Sequence, residues 1–165
     1  MTCTLLLTAL ATALWSAASV TPAPGASDPT CRGTLPNHVV PADPGFGRAA
    51  FNYGTSRLRA HLNWKDGILR AGTLPDGGSV ATIGADGTIR VKQGWWRGQA
   101  GRLLITGRRL DRSAPPARAN VPTGYGDTGF TPVELLFPTT GCWRVDARQG
   151  TAKLSYVVRV VKLAG

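Results

Sequence analysis

Trp95-Trp96-Arg97 is the stretch of this chain best equipped to hold a ligand. An indole face can stack on a sugar or a base, and a guanidinium beside it can hold an anion. Neighbouring residues on a strand point to opposite faces, so one tryptophan can enter the core while the other stays outside. With Trp96 outside, Arg97 adjoins it and Arg90 and Lys92 face the same solvent, so a stacking plane and cations come together. The competing reading buries both rings, one in the core and one beneath the proline loop of 113–122, because large aromatics usually belong to the core. The candidate binding set is therefore Trp95, Trp96, Arg97, Arg90 and Lys92.

Other chemical signals lose to simpler readings. Gly124-Tyr-Gly126-Asp-Thr-Gly129 matches the dinucleotide fingerprint, which needs a strand before it and a helix after it. Pro122 precedes it and Pro132 follows, so it reads as a glycine-rich turn. His38 and His61 are the only histidines, and no G-x-S-x-G elbow accompanies them. His61 lies among arginines, which lower its basicity rather than make it a good base. No residue pair has zinc-ligand spacing. Asp66, Asp76 and Asp86 are each followed by Gly and lack the acidic company that calcium needs, so they read as turns. No catalytic residue, metal or cofactor is expected, and the chain is not read as an enzyme.

The elements around these residues read as strands. Gly141 to Leu163 forms two β-branched and aromatic arms about Gln149-Gly150, a hairpin pattern. Trp143, Val145 and Ala147 share one face of its first arm, with Cys142, Arg144, Asp146 and Arg148 on the other. Leu154, Tyr156, Val158 and Val160 share a face of the second arm, and Val157 and Val161 behind them make that strand central. Arg57 to Lys65 alternates, with Leu58, Ala60, Leu62 and Trp64 inward. Thr88 to Lys92, Gly101 to Asp111 and Val133 to Phe137 supply further strands, and the proline-rich 113–122 is irregular or edge chain. Three Asp-Gly turns ten residues apart suggest a meander of short strands. The expected fold is an all-β, antiparallel, immunoglobulin-like sandwich of about seven or eight short strands.

Leu5 to Val20 is an apolar run followed by small residues and Pro, which reads as a signal peptide covering 1–26, with cleavage between 18 and 26. It lacks a basic start, and an uncleaved anchor is the competing reading. Residues 27–50 read as an extended lead-in and 51–165 as the β domain. Removing Cys3 with the leader leaves Cys31 and Cys142, which in an oxidising compartment pair most simply with each other. The inward Trp143 turns Cys142 outward, so this bridge would pin the lead-in across an outer face or edge. The net charge of +10, with all 19 Lys and Arg from Arg32 onward, suits an anionic cell-envelope polymer or an envelope protein. No basic cluster has the form of a nucleic-acid motif, and membrane contact is expected only through an uncleaved leader.

Several segments in order resemble a known family: Tyr53-Gly54, Trp95-Trp96-Arg97-Gly98, Ile105 to Asp111, Ala114-Pro115-Pro116, Gly124-Tyr125-Gly126 with Gly129-Phe130, and Phe137-Pro138-Thr139 leading to Gly141-Cys142-Trp143. They resemble an uncharacterised family of exported bacterial proteins. The resemblance covers nearly all the chain after Cys31 and implies a secreted, immunoglobulin-like β domain without an established activity. Thr55 and Arg144 depart from the pattern, which has Asn and Glu there. Any acidic role at position 144 is thereby lost. The sequence favours a non-catalytic structural or interaction module, with a ligand-binding module for an anionic or sugar-rich polymer as its rival.

Overall fold

A computed structural model describes residues 31–39 and 49–164 of the chain. The expected leader with Cys3, and residues 27–30 and 40–48 of the lead-in, lie outside the described residues. The strands are β1 (Asn52–Gly54), β2 (Leu58–His61), β3 (Ile68–Ala71), β4 (Ala81–Ile83) and β5 (Ile89–Arg97), followed by β6 (Leu104–Arg109), β7 (Arg118–Asn120), β8 (Gly129–Phe137), β9 (Gly141–Gln149) and β10 (Ala152–Lys162). Among the described residues the one helical element is a 3-10 turn at Ala49–Phe51. The high glycine and proline content is consistent with this all-β outcome.

The strands form one mixed, 10-stranded sheet rather than a purely antiparallel one. β10 lies parallel to β3, and β3 parallel to β4. The three Asp-Gly turns explain the difference. Each aspartate Oδ1 accepts the N–H of the residue two further on, at Ile68, Gly78 and Thr88. Each following glycine has positive φ, near 78–79°. The local chemistry is therefore the same three times, yet only Asp86-Gly87 joins antiparallel partners, β4 and β5. Asp66-Gly67 leads into β3, and Asp76-Gly77 sits in the link from β3 to β4. A turn dictates a change of direction, whereas its flanking strands choose their partners through the core.

β5 is the hub. It pairs with β8 along its whole length, from Ile89↔Phe137 to Arg97↔Gly129. Its other edge is shared between β4 at Ile89–Val91 and β2 at Trp95–Arg97. The ladder continues from β4 through β3, β10 and β9 to β6, and from β8 to β7. A bridge between Gly107 in β6 and Ala117 just before β7 then returns the path to its start. Its reciprocal hydrogen bonds are 2.9 and 3.3 Å. The proline-rich segment thus closes the ladder, leaving fewer free edges for unwanted pairing. A Cβ at position 107 would come within 2.8 Å of the Ala117 side chain, so this closure requires glycine.

The terminal hairpin forms as the alternation predicts, with its turn at Gly150-Thr151, one residue later than the sequence pattern suggests, because Gln149 pairs with Ala152. β10 is central, flanked by β9 and β3. Trp143, Val145, Ala147, Leu154, Tyr156, Val158 and Val160 are all buried. Tyr156 packs against Trp64 at 5.7 Å and Trp95 at 6.4 Å between ring centroids, and Phe137 meets Trp143 at 5.6 Å. Burying each such side chain contributes about 1.5–3 kcal/mol.

Cys31 and Cys142 form the disulfide, with Cα atoms 5.6 Å apart and a sequence separation of 111. The bridge starts the lead-in along the free edge of β10, beyond the point where β3 stops pairing. Thr34 exchanges bonds with Val157, its N–H donating at 2.7 Å and its Oγ1 accepting at 2.9 Å. Further on, the Asn37 side chain pairs with both backbone groups of Gly54 in β1. Trp64 Nε1 donates to the Thr34 carbonyl at 3.0 Å, tying the core to the strap. The expected Cys31–Cys142 pairing is present, and among the described residues 31–37 it begins a strap along β10 and β1.

Candidate functional site

β5 separates the residues expected to act together. Trp95 points inward and is fully buried, and Trp96 points outward and is half-buried. Arg97 follows Trp95 rather than Trp96, because alternation returns it to the inner side. It is 6% exposed. Its guanidinium donates to the carbonyls of Tyr125 at 2.7 Å, Gly126 at 2.9 Å, Thr128 at 3.2 Å and Gly129 at 3.4 Å. Burial lowers its pKa, partly opposed by Asp127. The expected anion-holding role beside Trp96 is corrected: Arg97 is wrapped by the glycine-rich loop. That loop, which matched a nucleotide fingerprint in spelling, presents its carbonyls to a cation of the same chain.

A second side chain closes this end of the ladder. Gln149 is fully buried, and its Nε2 lies within 2.7–2.9 Å of the carbonyls of Gln99, Gly101 and Asp127. The Gln99 amide returns a bond to the Gln149 carbonyl. Together Arg97 and Gln149 satisfy loop carbonyls that water could reach only in part.

On the outer side of β5, Trp96 lies across from Arg59 on β2 and Phe130 on β8. The Arg59 guanidinium carbon is 5.4 Å from the centre of the Trp96 ring. Arg59 is buried, although its parity assigned it to a solvated face, and burial lowers its pKa. Phe130 is 43% and Tyr125 45% exposed, with their rings 6.5 Å apart edge to face. Arg90 and Lys92 share the outer side with Trp96, but Gly94 and Pro132 lie between. Arg90 approaches Asp86 at 4.0 Å, and Lys92 sits opposite Glu134. The expected continuous patch is therefore divided into an aromatic part and a cationic part.

The histidines are placed apart from any carboxylate dyad. His38 is exposed in the lead-in, with φ of 58°. His61 is half-buried against Phe51 at 5.1 Å between ring centroids. Its pKa is lowered by burial, the direction expected but for a different cause. Among the described residues no His, Cys, Asp and Glu cluster could hold a metal ion, and no helix is long and apolar enough to cross a membrane.

A feature that single-strand alternation missed is the outer face of β6, β9 and β10. A groove of about 700 Å³ lies there, lined in part by Thr106, Arg144, Asp146, Arg148, Lys153 and Ser155. Alternation placed Arg144, Asp146 and Arg148 on one face, but only the register across strands brings Arg108 and Lys153 to them. Comparison with family models, with curated proteins and with solved structures finds no match.

Proposed function

We propose that this chain is an exported, non-catalytic β domain that serves as an interaction module at the cell envelope. The observation that carries the reading is the Cys31–Cys142 disulfide, since such bridges form and persist in oxidising compartments. The apolar leader pattern in residues 1–26 and the resemblance to exported bacterial proteins agree with it. The immunoglobulin-like relationship belongs to the same proposal. The all-β ladder and the buried Trp143 beside Cys142 support it, and the parallel β3–β10 pair limits how far it extends. The excess of basic charge favours an anionic partner over a neutral one.

Thiol alkylation before reduction, applied to fractionated cells, tests the proposal. Extracytoplasmic protein with Cys31 and Cys142 both unreactive is the expected outcome. Protein confined to the cytoplasm, or alkylated at both positions outside it, would overturn the reading. A second reading places a sugar on Trp96 and the exposed Phe130, supported by their adjacency across β5 and β8. Trp96→Ala should then abolish glycan binding and leave the melting curve nearly unchanged.

A further inference from the structure

Like charges directly opposite one another on adjacent strands oppose folding. The outer face of β6, β9 and β10 carries two such pairs. Arg108 of β6 stands opposite Arg144 of β9, and Arg148 of β9 stands opposite Lys153 of β10. Between the pairs lies a polar row, Thr106–Asp146–Ser155, one residue from each strand. Asp146 is the single carboxylate among these four cations. Its Oδ1 receives Arg144 Nε at 2.9 Å and Ser155 Oγ at 2.7 Å. Arg108, Arg148 and Lys153 are exposed; Arg108 reaches Asp146 only by charge attraction, and Arg148 and Lys153 have no side-chain hydrogen bond or ion pair among the described residues. These cations contrast with Arg97 and Arg109, whose guanidiniums are held by carbonyls or by Asp111.

The pattern along β9 is cation, carboxylate, cation, with Arg144 and Arg148 about 13 Å apart at the rise of an extended strand. Guanidinium groups suit carboxylates through paired N–H donors. The middle row offers a carboxylate and hydroxyls, which suit neutral hydroxyl groups. A ligand complementary to this order carries separated anionic groups with hydroxyls between them. A nucleic-acid strand fits less well: its closely spaced phosphates would meet Asp146, and no aromatic ring lines the groove to stack a base.

We propose that the outer face of β6, β9 and β10 binds an acidic polysaccharide along its groove, with Arg144 of the groove and Arg108, opposite it in register, gripping one carboxylated unit, Arg148 and Lys153 another, and the Thr106–Asp146–Ser155 row meeting the hydroxyls between. The inference deepens the interaction-module reading and rests on it. The disulfide assay above tests export independently of this binding, so either can fail alone.

The test is titration of the disulfide-bonded chain with polygalacturonate, dextran, a single-stranded oligonucleotide and anionic lipid vesicles. Polygalacturonate should bind and weaken as salt rises, while dextran should not bind. Arg148→Gln with Lys153→Gln should weaken that binding about tenfold or more with a melting midpoint no lower than the parent's, which is loss of an interaction rather than of the fold. Arg90→Gln with Lys92→Gln removes the same charge from the β5 face and should change binding less than about threefold. Equal loss from both double variants would show a response to net charge alone and overturn the proposal. So would an undiminished affinity in the first double variant, or binding to the oligonucleotide or vesicles as tight as to polygalacturonate.

Discussion

Two cation-rich regions of this domain are built on opposite principles. At the end of β5, Arg97 is buried and donates to carbonyls of Tyr125, Gly126, Thr128 and Gly129. On the outer face of β6, β9 and β10, Arg108, Arg148 and Lys153 point to solvent, with like charge facing like charge. The first region reads in sequence as the better ligand site, since a tryptophan pair precedes its arginine. The folded chain reverses that ranking. A cation is available to a ligand only while some of its donors stay unclaimed, as they do at the half-exposed Arg144 but not at Arg97, whose Nε and both terminal nitrogens donate to loop carbonyls.

The contrast makes graded predictions. Its frame is held by the disulfide, so replacing Cys31 and Cys142 with Ser should have the largest effect. The chain-entropy model gives about 4–5 kcal/mol for a loop of this length. Calorimetry should show a midpoint lower by roughly 8–20 °C at about 2–4 °C per kcal/mol. Trp143→Ala should cost about 3–5 kcal/mol in urea unfolding as a buried aromatic is lost. Its neighbour Arg144, on the open face, should cost within about 1 kcal/mol when changed to Ala. Equal costs would show that inner and outer faces of β9 are not distinct.

Arg97→Met keeps the apolar stem and strands the loop carbonyls, which should cost about 1–3 kcal/mol in the same assay. Arg148→Gln with Lys153→Gln should instead raise stability by a few tenths of a kcal/mol, because opposed like charges are relieved. The smallest effect concerns pH. His61 has a lowered folded pKa, caused by burial, so the unfolded chain binds the proton more readily. Stability should therefore fall as pH drops below about 6.5 toward that lower folded value, and His61→Gln should flatten the slope. Polysaccharide binding should stay level across the same window. Burial pushes the Asp146 carboxyl up, but hydrogen bonds from Ser155 and Arg144 and the nearby cations outweigh it and hold it below the usual range.

The strands were legible where one face is apolar. Leu58, Ala60, Leu62 and Trp64 alternate and are all buried, and so do Val133, Leu135 and Phe137. β2 nevertheless stops at His61, and Asn63 has φ of 65°, so alternation outlasted the strand itself. Arg59 shows a second limit: its parity was read correctly, but a polar face need not meet water when a ring such as Trp96 covers it. The parallel β3–β10 pair was hidden because parity within a strand says nothing of its neighbour. The same gap concealed the groove. Arg144 and Arg148 were assigned to one outer face, but their cationic partners lie 36 residues earlier and five later, at Arg108 and Lys153.

The most direct measurement sets Arg97→Met beside the Arg148→Gln, Lys153→Gln double variant and records urea stability and polygalacturonate affinity for each. A crossing is expected. Arg97→Met should lose stability while its folded fraction binds as the parent does, and the double variant should keep its stability while binding falls about tenfold. Lost binding in folded Arg97→Met, together with intact binding in the double variant, would contradict it and return the ligand site to the end of β5.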